Sequence, residues 1–348
     1  MNASTPGITA DEQVARIFEW RRGFNNIHLI DTGIELGLFA ALATAPGLTA
    51  EALAEKLELR IHPVRTWCWT AHGQALLDSD EAGGFRLAPH MDAILANPGH
   101  PRYLGGYAQL GTRVAAEDFR RSLQTYRTGE INPFQGRGEG FAHLIAQSTW
   151  GLQIATARKI LPGVEGLVAR LEAGGTVLEV GCGTGNFLIQ TAKAFPAARA
   201  IGVDLDADSL AIAERRIADA GFGERTMARL GAVEDVVTPG SVDAVVMIEV
   251  LHEIDQALRP SVIRQCAQAL KPGGWLVVVD ETYPSTLAQT REAEFRFPLQ
   301  TGIEELTWGN VIPTREEQES LLRDAQFAEP FGRMLIGEGF TVLTARRP

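Results

Sequence analysis

Apolar residues follow two rhythms along the chain. Up to about residue 170 they recur at three- and four-residue steps, the period of a helix with one buried face. From residue 176 short unbroken apolar runs alternate with amphipathic stretches, the pattern of parallel strands covered by helices on both sides. Ile27, Ile30, Ile34, Leu38 and Ala41 form one stripe and predict a single helix through NNIHLIDTGIELGLFAAL. Thr49 is placed to cap a second helix over TAEALAEKLELR, and His62-Pro63 to open a third that runs to about Leu77. Gly83-Gly84 then joins two short extended pieces in which Phe85 alternates with Leu87. Three helices and a hairpin are the order of a winged helix. Further on, NPFQGRGEGF is a glycine-rich connector and FAHLIAQSTWGLQIATARKIL reads as one long helix.

The run VLEVGCGTGNFLIQ at 177–190 carries the first chemistry. TVLEV is a buried strand, Gly181 to Gly185 a turn, and Asn186 to Phe195 the helix that follows, so a ligand would lie over the helix N-terminus with bare backbone beneath it. The next strand, ARAIGVD, ends at Asp204, where a carboxylate suits a ribose diol. A dinucleotide turn would read GxGxxG; here the spacing is GxGxG, with Asn186 in place of the third glycine. Glu179 at the strand end suits an ammonium group and not a pyrophosphate. The unit therefore favours a ligand that combines an amino acid with a nucleoside.

With LEVGCGTG at 178–185, GVDLD at 202–206, SVDAVVMIEVLHEI at 241–254 and LKPGGWLVVVDE at 270–281, the chain resembles the class I S-adenosylmethionine-dependent methyltransferases. With the N-terminal region included, it resembles the plant-type small-molecule O-methyltransferases and their bacterial C-methylating relatives. The resemblance implies an α/β fold with a doubly wound, mostly parallel seven-stranded sheet. It implies a winged-helix-like dimerisation domain at 1–95, a helical connector and substrate lid at 96–170, and an S-adenosylmethionine-binding domain at 171–348. Glu179, Gly181, Gly183 and Gly185 would then receive the methionine part and Asp204 the ribose, with Leu205, Val233, Glu234 and Ile248 as further cofactor-binding residues. The family's acidic residue for the adenine amine is replaced by Ala232, with Glu234 or Asp235 as the substitutes at hand.

Methyl transfer to a hydroxyl needs a base near the acceptor, and imidazole titrates in the useful range. Of seven histidines, His252 stands just past the VDAVVMI strand, on the cofactor side of a doubly wound sheet. The resemblance makes His252 the general base and Glu281 its acidic support; Ile312 stands where a second acid would be. Glu305, in QTGIEELTWGN, offers a carboxylate for a C-methylating variant in which His252 and Glu305 handle an enolate, and two candidate ligands are too few to define a metal site. Trp150, Phe141, Phe297 and Trp308 are candidate walls for an apolar acceptor, and Cys182 reads as a small residue that fits the turn.

Composition narrows the alternatives. A net charge of −11, with acidic residues outnumbering basic ones in the winged-helix region, argues against nucleic acid as a partner. Three dispersed cysteines without a CxxC pair suit a reducing cytoplasm. The pattern predicts neither a secretory leader nor a membrane span. The expectation is a cytoplasmic homodimer that methylates a small molecule, with oxygen the favoured acceptor and activated carbon the alternative. A nicotinamide-dependent oxidoreductase and a winged-helix regulator stand behind these.

Overall fold

The computed structural model describes residues 7–348. They form two compact units, the first ending at Val114 and the second beginning at Ala115, where the sequence pattern places boundaries at 95/96 and 170/171. Residues 105–114 stay with the first unit because Gln109, Thr112 and Arg113 all bond the Asp31 carboxylate.

The first unit begins with a helix at Ala10–Glu35, closed at its start by a Thr9–Glu12 capping box. The stripe from Ile27 to Ala41 does not make one helix. Leu36 and a left-handed Gly37 break it, and a short helix, Leu38–Thr44, leaves at a bend of 62°. The cause is packing: Phe39 folds onto Gly33, where a Cβ would stand 2.5 Å from its ring, and meets Trp67 edge-on at 5.1 Å between centroids. Helices Ala50–Lys56 and Ile61–Gly73 and the hairpin β1 (Leu77–Ser79) and β2 (Phe85–Leu87) complete a winged helix. Among the described residues no single helix is long and apolar enough to cross a membrane.

The second unit is built on seven strands: β3 (Thr176–Val180), β4 (Arg199–Asp204), β5 (Thr226–Leu230), β6 (Val242–Ile248), β7 (Leu270–Glu281), β8 (Ala328–Ile336) and β9 (Phe340–Arg346). Their order is β5-β4-β3-β6-β7-β9-β8; β9 runs antiparallel to β7 and β8, and all other pairings are parallel. Every residue of β6 is buried, as expected for the middle of a sheet with helices on both faces. Val177, Val246, Val277 and Val279 pack with Leu161, Leu167 and Phe187 in one core. Leu178, Val245, Val278 and Leu276 pack with Ile263, Cys266 and Leu322 in another.

The stretch expected as one helix from Phe141 is broken. Helices Glu139–Ser148 and Trp150–Ala155 meet at Thr149, and a wider turn covers Thr156–Ile160. Thr149 and Ser148 both donate their hydroxyls to the Ile145 carbonyl, a side-chain competition with the helix that hydrophobic period does not register.

Candidate active site

The chain leaves β3 toward β4 and β5 on one side and returns through β6 and β7 on the other, so the order reverses between β3 and β6. In doubly wound sheets that point opens a crevice beyond the strand ends. The loops after β3 and β6 meet there: a Cβ on Gly181 would stand 2.3 Å from Val250.

The three loop glycines serve different ends. Gly181 gives way to Val250, and Gly185 lies against Ala213 at 3.2 Å from a would-be Cβ. Only Gly183 has open space where a side chain would go, so the backbone is bared to a ligand at one position and not at three. All three adopt left-handed φ, from 49° to 75°. Cys182 is buried, and burial pushes its thiol well above the usual range, which suits a packing role.

Glu179 is 2% exposed, and its Oε2 has no hydrogen-bond partner among the described residues. Burial, reinforced by Asp204, pushes its pKa well up. Asp204 accepts from the backbone N–H groups of Gly183 at 2.7 Å and Asp206 at 2.9 Å. Helix Trp150–Ala155 packs against helix Asn186–Ala194, and Trp150 Nε1, Gln153 Oε1 and Asn186 Oδ1 are further buried polar atoms without partners among the described residues. Buried polar atoms are normally satisfied, so this set of one donor and three acceptors fits the zwitterionic head of an amino acid. Trp150 therefore offers a polar handle rather than the apolar wall expected of it. Beyond β4, Leu205 is 74% exposed. Val233 is buried, Glu234 is exposed, and Asp235 is spent on capping the Ala232 N–H at 3.0 Å. Ile248 is buried at the end of β6.

Past Ile248 the chain turns at Glu249, a non-glycine residue at φ 58°, a strained conformation worth roughly 1–3 kcal/mol. The turn delivers His252 into a buried position beside the end of β7. His252 Nδ1 lies 2.5 Å from Asp280 Oδ1, and its backbone N–H donates to Asp280 Oδ2 at 3.2 Å. His252 Nε2 lies 3.6 Å from Glu305 Oε2, which also accepts from Asn310 Nδ2 at 2.8 Å. Burial alone would depress the imidazole pKa; Asp280 and Glu305 outweigh it and hold the pKa well above the usual range.

The acid that supports His252 is thus Asp280, one residue before the one expected. Adjacent strand residues point to opposite faces. Glu281 falls on the face of Val277 and Val279, where its carboxylate accepts from the Thr301 hydroxyl, and burial raises its pKa to about 7. The sequence signal that could have separated the two is this alternation, since Val278 and Asp280 share the opposite face. Glu305 does reach His252, and Ile312 is a buried apolar residue. Glu249, His252 and Asp280 bring possible ligand atoms within 4.8 Å of one another, with Nδ1 of the imidazole engaged by Asp280.

Arg259, 4% exposed, was also missed. It donates from Nε to the Ile254 carbonyl at 2.9 Å and from Nη2 to those of His252, at 3.0 Å, and Val311, clamping the 252–254 loop to the 311 segment. Phe141 and Trp308 are not free walls. With the half-buried Phe134 they form an edge-to-face cluster at 4.9 to 6.3 Å between centroids. Phe297 packs on Phe340 at 5.0 Å.

Residues 177–274 match the family described as "Methyltransferase domain". The 3-hydroxy-5-methyl-1-naphthoate 3-O-methyltransferase of Streptomyces sahachiroi is 27% identical over 260 residues, 72% of each chain. The ubiquinone biosynthesis O-methyltransferase of Chromobacterium violaceum is 37% identical over 106 residues, 30% of this chain and 43% of that protein. Human N-acetylserotonin methyltransferase, solved with S-adenosylmethionine, superposes with a TM-score of 0.80 at 17% identity, covering 98% of this chain and 99% of that one. With the glycine loop and the reversal of strand order, residues 177–274 carry the methyltransferase domain of an S-adenosylmethionine-dependent methyltransferase, and the second unit has the Rossmann-like methyltransferase fold.

Proposed function

We propose that the protein transfers a methyl group to a hydroxyl of a small molecule, with His252 as the base. The observation that carries this reading is the buried Asp280–His252 pair, which fixes one imidazole nitrogen and leaves Nε2 to receive a proton. S-adenosylmethionine, when bound, supplies an electrophilic methyl on a sulfonium whose leaving group needs no assistance. Glu179, Trp150, Gln153 and Asn186 would hold its amino-acid head. Asp204 would hold the ribose, with Leu205, Val233 and Glu234 beside the adenine. The chain's remaining task is to orient the acceptor and take its proton. Because the imidazole pKa is raised, His252 acts as base from its neutral form and gains that form as pH rises.

The O-methyltransferase relatives support oxygen as the acceptor atom. One observation keeps transfer to carbon as a second reading: Glu305 stands at the Nε2 that an acceptor hydroxyl would use. An imidazole and a carboxylate side by side suit removal of a proton from an activated carbon. A labelled-methyl assay over pooled phenols, indoles and 2-oxo acids, with and without chelator, separates the two. Label in phenolic products that is insensitive to chelator supports oxygen transfer; label confined to 2-oxo acids or indoles replaces it with carbon transfer.

We also propose a homodimer. Helix Ala10–Glu35 leaves Val14, Ile17, Phe18, Trp20 and Phe24 exposed at helical steps, a patch that a second copy would cover. Sedimentation of the full chain as a monomer at micromolar concentration would remove that reading.

A further inference from the structure

Helix Arg296–Trp308 turns one polar face toward the site. Thr301, Glu305 and Trp308 stand at i, i+4 and i+7 on it, and each makes a polar contact beyond the helix. The Thr301 hydroxyl donates to Glu281, at the end of β7. Glu305 lies against His252 Nε2. Trp308 Nε1 donates to Asp118 Oδ2 at 2.7 Å. The helix is held at its middle and at its C-terminal end, and carries the second carboxylate of the imidazole between the two contacts.

Asp118 is the stronger pin. It is 2% exposed and its carboxylate is fully employed: Arg137 donates to both oxygens, at 2.8 and 3.1 Å, and Asn132 Nδ2 donates at 2.7 Å, beside the Trp308 bond. Burial works to raise its pKa, but Arg137, Trp308 and Asn132 together bring it below the usual value. Arg137 also stacks on Phe141 at 4.3 Å, and the Asn132 N–H donates to the Thr307 carbonyl at 2.8 Å. The helix end itself is closed by left-handed Gly309, after which Asn310 folds back onto the Glu305 carboxylate. A displacement of Trp308 is therefore transmitted to Glu305 by the helix and by the Asn310 bond.

We propose that Asp118 is a positioning residue for the catalytic pair: by holding Trp308 it sets the register of helix Arg296–Trp308 and so keeps Glu305 against His252 Nε2. The inference rests on the base assignment to His252 for its catalytic meaning, but its geometry stands without turnover. The charged groups that act on His252 are Asp280 from β7 and, from the other face of the same strand end, Glu281, with Glu249 and Glu253 from its own loop, Glu305 from the helix, and Arg259 on its carbonyl. Of these, Glu305 is the one that Asp118 governs.

The test is the titration of the His252 imidazole by NMR in the full-length protein, wild type against Trp308→Phe, Asp118→Asn and Phe134→Leu. Trp308→Phe keeps an aromatic ring in the cluster and removes the indole donor together with part of the indole volume. Phe134→Leu loosens the same aromatic cluster without touching the hydrogen bond. The expected result is a downward shift of about half a unit or more in Trp308→Phe and Asp118→Asn, none in Phe134→Leu. A kcat lower by about tenfold with KM nearly unchanged should accompany the shift. Equal shifts in all three variants, or titrations that superpose on wild type in either folded donor or acceptor variant, overturn the proposal. Should His252→Ala retain full turnover, the base assignment falls while the titration result still decides this one.

Discussion

His252 Nδ1 and Asp280 Oδ1 lie 2.5 Å apart, with the two side chains 3% and 1% exposed. A buried imidazole held by a buried carboxylate has one nitrogen fixed and one left for chemistry. Asp280→Asn preserves the shape and removes the charge. It should lower kcat by roughly 10²-fold or more, and lower the pKa seen in the acid limb of the rate profile. Glu281→Gln should cost clearly less, because Glu281 bonds Thr301 and not the ring. Steady-state kinetics on the two variants check this ordering.

The pH dependence of catalysis should follow the imidazole. Asp280 and Glu305 raise its pKa, so kcat/KM should climb with pH through a midpoint above the ordinary value of about 6.5. A midpoint at or below that value would mean that the two carboxylates do not act on the ring as the geometry implies.

Stability should move the opposite way. His252, Glu281 and Glu304 all have folded pKa values above their ordinary ones, the two carboxyls reaching about 7 through burial. Each binds its proton more tightly in the folded chain. The stabilisation is therefore complete below the unfolded pKa and is lost as pH rises through the folded one. Without cofactor, Tm should fall between pH 5 and 8, and Glu281→Gln and Glu304→Gln should flatten that slope. An unchanged slope in the double variant would assign the pH effect to other groups.

Glu179 should show opposed effects on folding and binding. Its carboxyl is buried with a partnerless oxygen, so Glu179→Gln removes a desolvation cost and should raise the Tm of the free protein. The same change removes the anion that meets the ligand's ammonium, and should weaken S-adenosylhomocysteine by about tenfold or more, near 1.4 kcal/mol. Thermal scans and calorimetric titration on one preparation read both.

The glycine loop makes a parallel distinction. Gly181→Ala drives a Cβ to 2.3 Å from Val250 and should destabilise the fold by roughly 1–3 kcal/mol. Gly183→Ala meets nothing within 4 Å, so its larger effect should be on cofactor affinity. Comparable loss of Tm in both variants would contradict this division.

Much of this was legible in the sequence because it depends on short-range patterns. TVLEV, the glycine turn and ARAIGVD follow from apolar runs and from residues that tolerate left-handed φ. The fold and cofactor class came from the same motifs. What failed depended on three-dimensional packing. The helix break at Gly37 is caused by Phe39 meeting Gly33, two positions that share no periodic signal. Motif position points to Glu281, whereas the alternation of side chains along β7 puts Asp280 on the other face, where it meets His252. Asp118, 190 positions before Trp308, and Arg259, donating only to carbonyls, leave no local trace. Glu305 was found for its carboxylate, while its place beside Nε2 is set by a helix whose angle no sequence pattern encodes.

The central claim is tested most directly by His252→Asn in a labelled-methyl assay with a turned-over phenolic acceptor, alongside calorimetric titration of S-adenosylhomocysteine. The account predicts a loss of turnover of roughly 10²- to 10⁴-fold with cofactor affinity within about twofold of wild type. Turnover retained at the wild-type level, with cofactor bound as before, would contradict it.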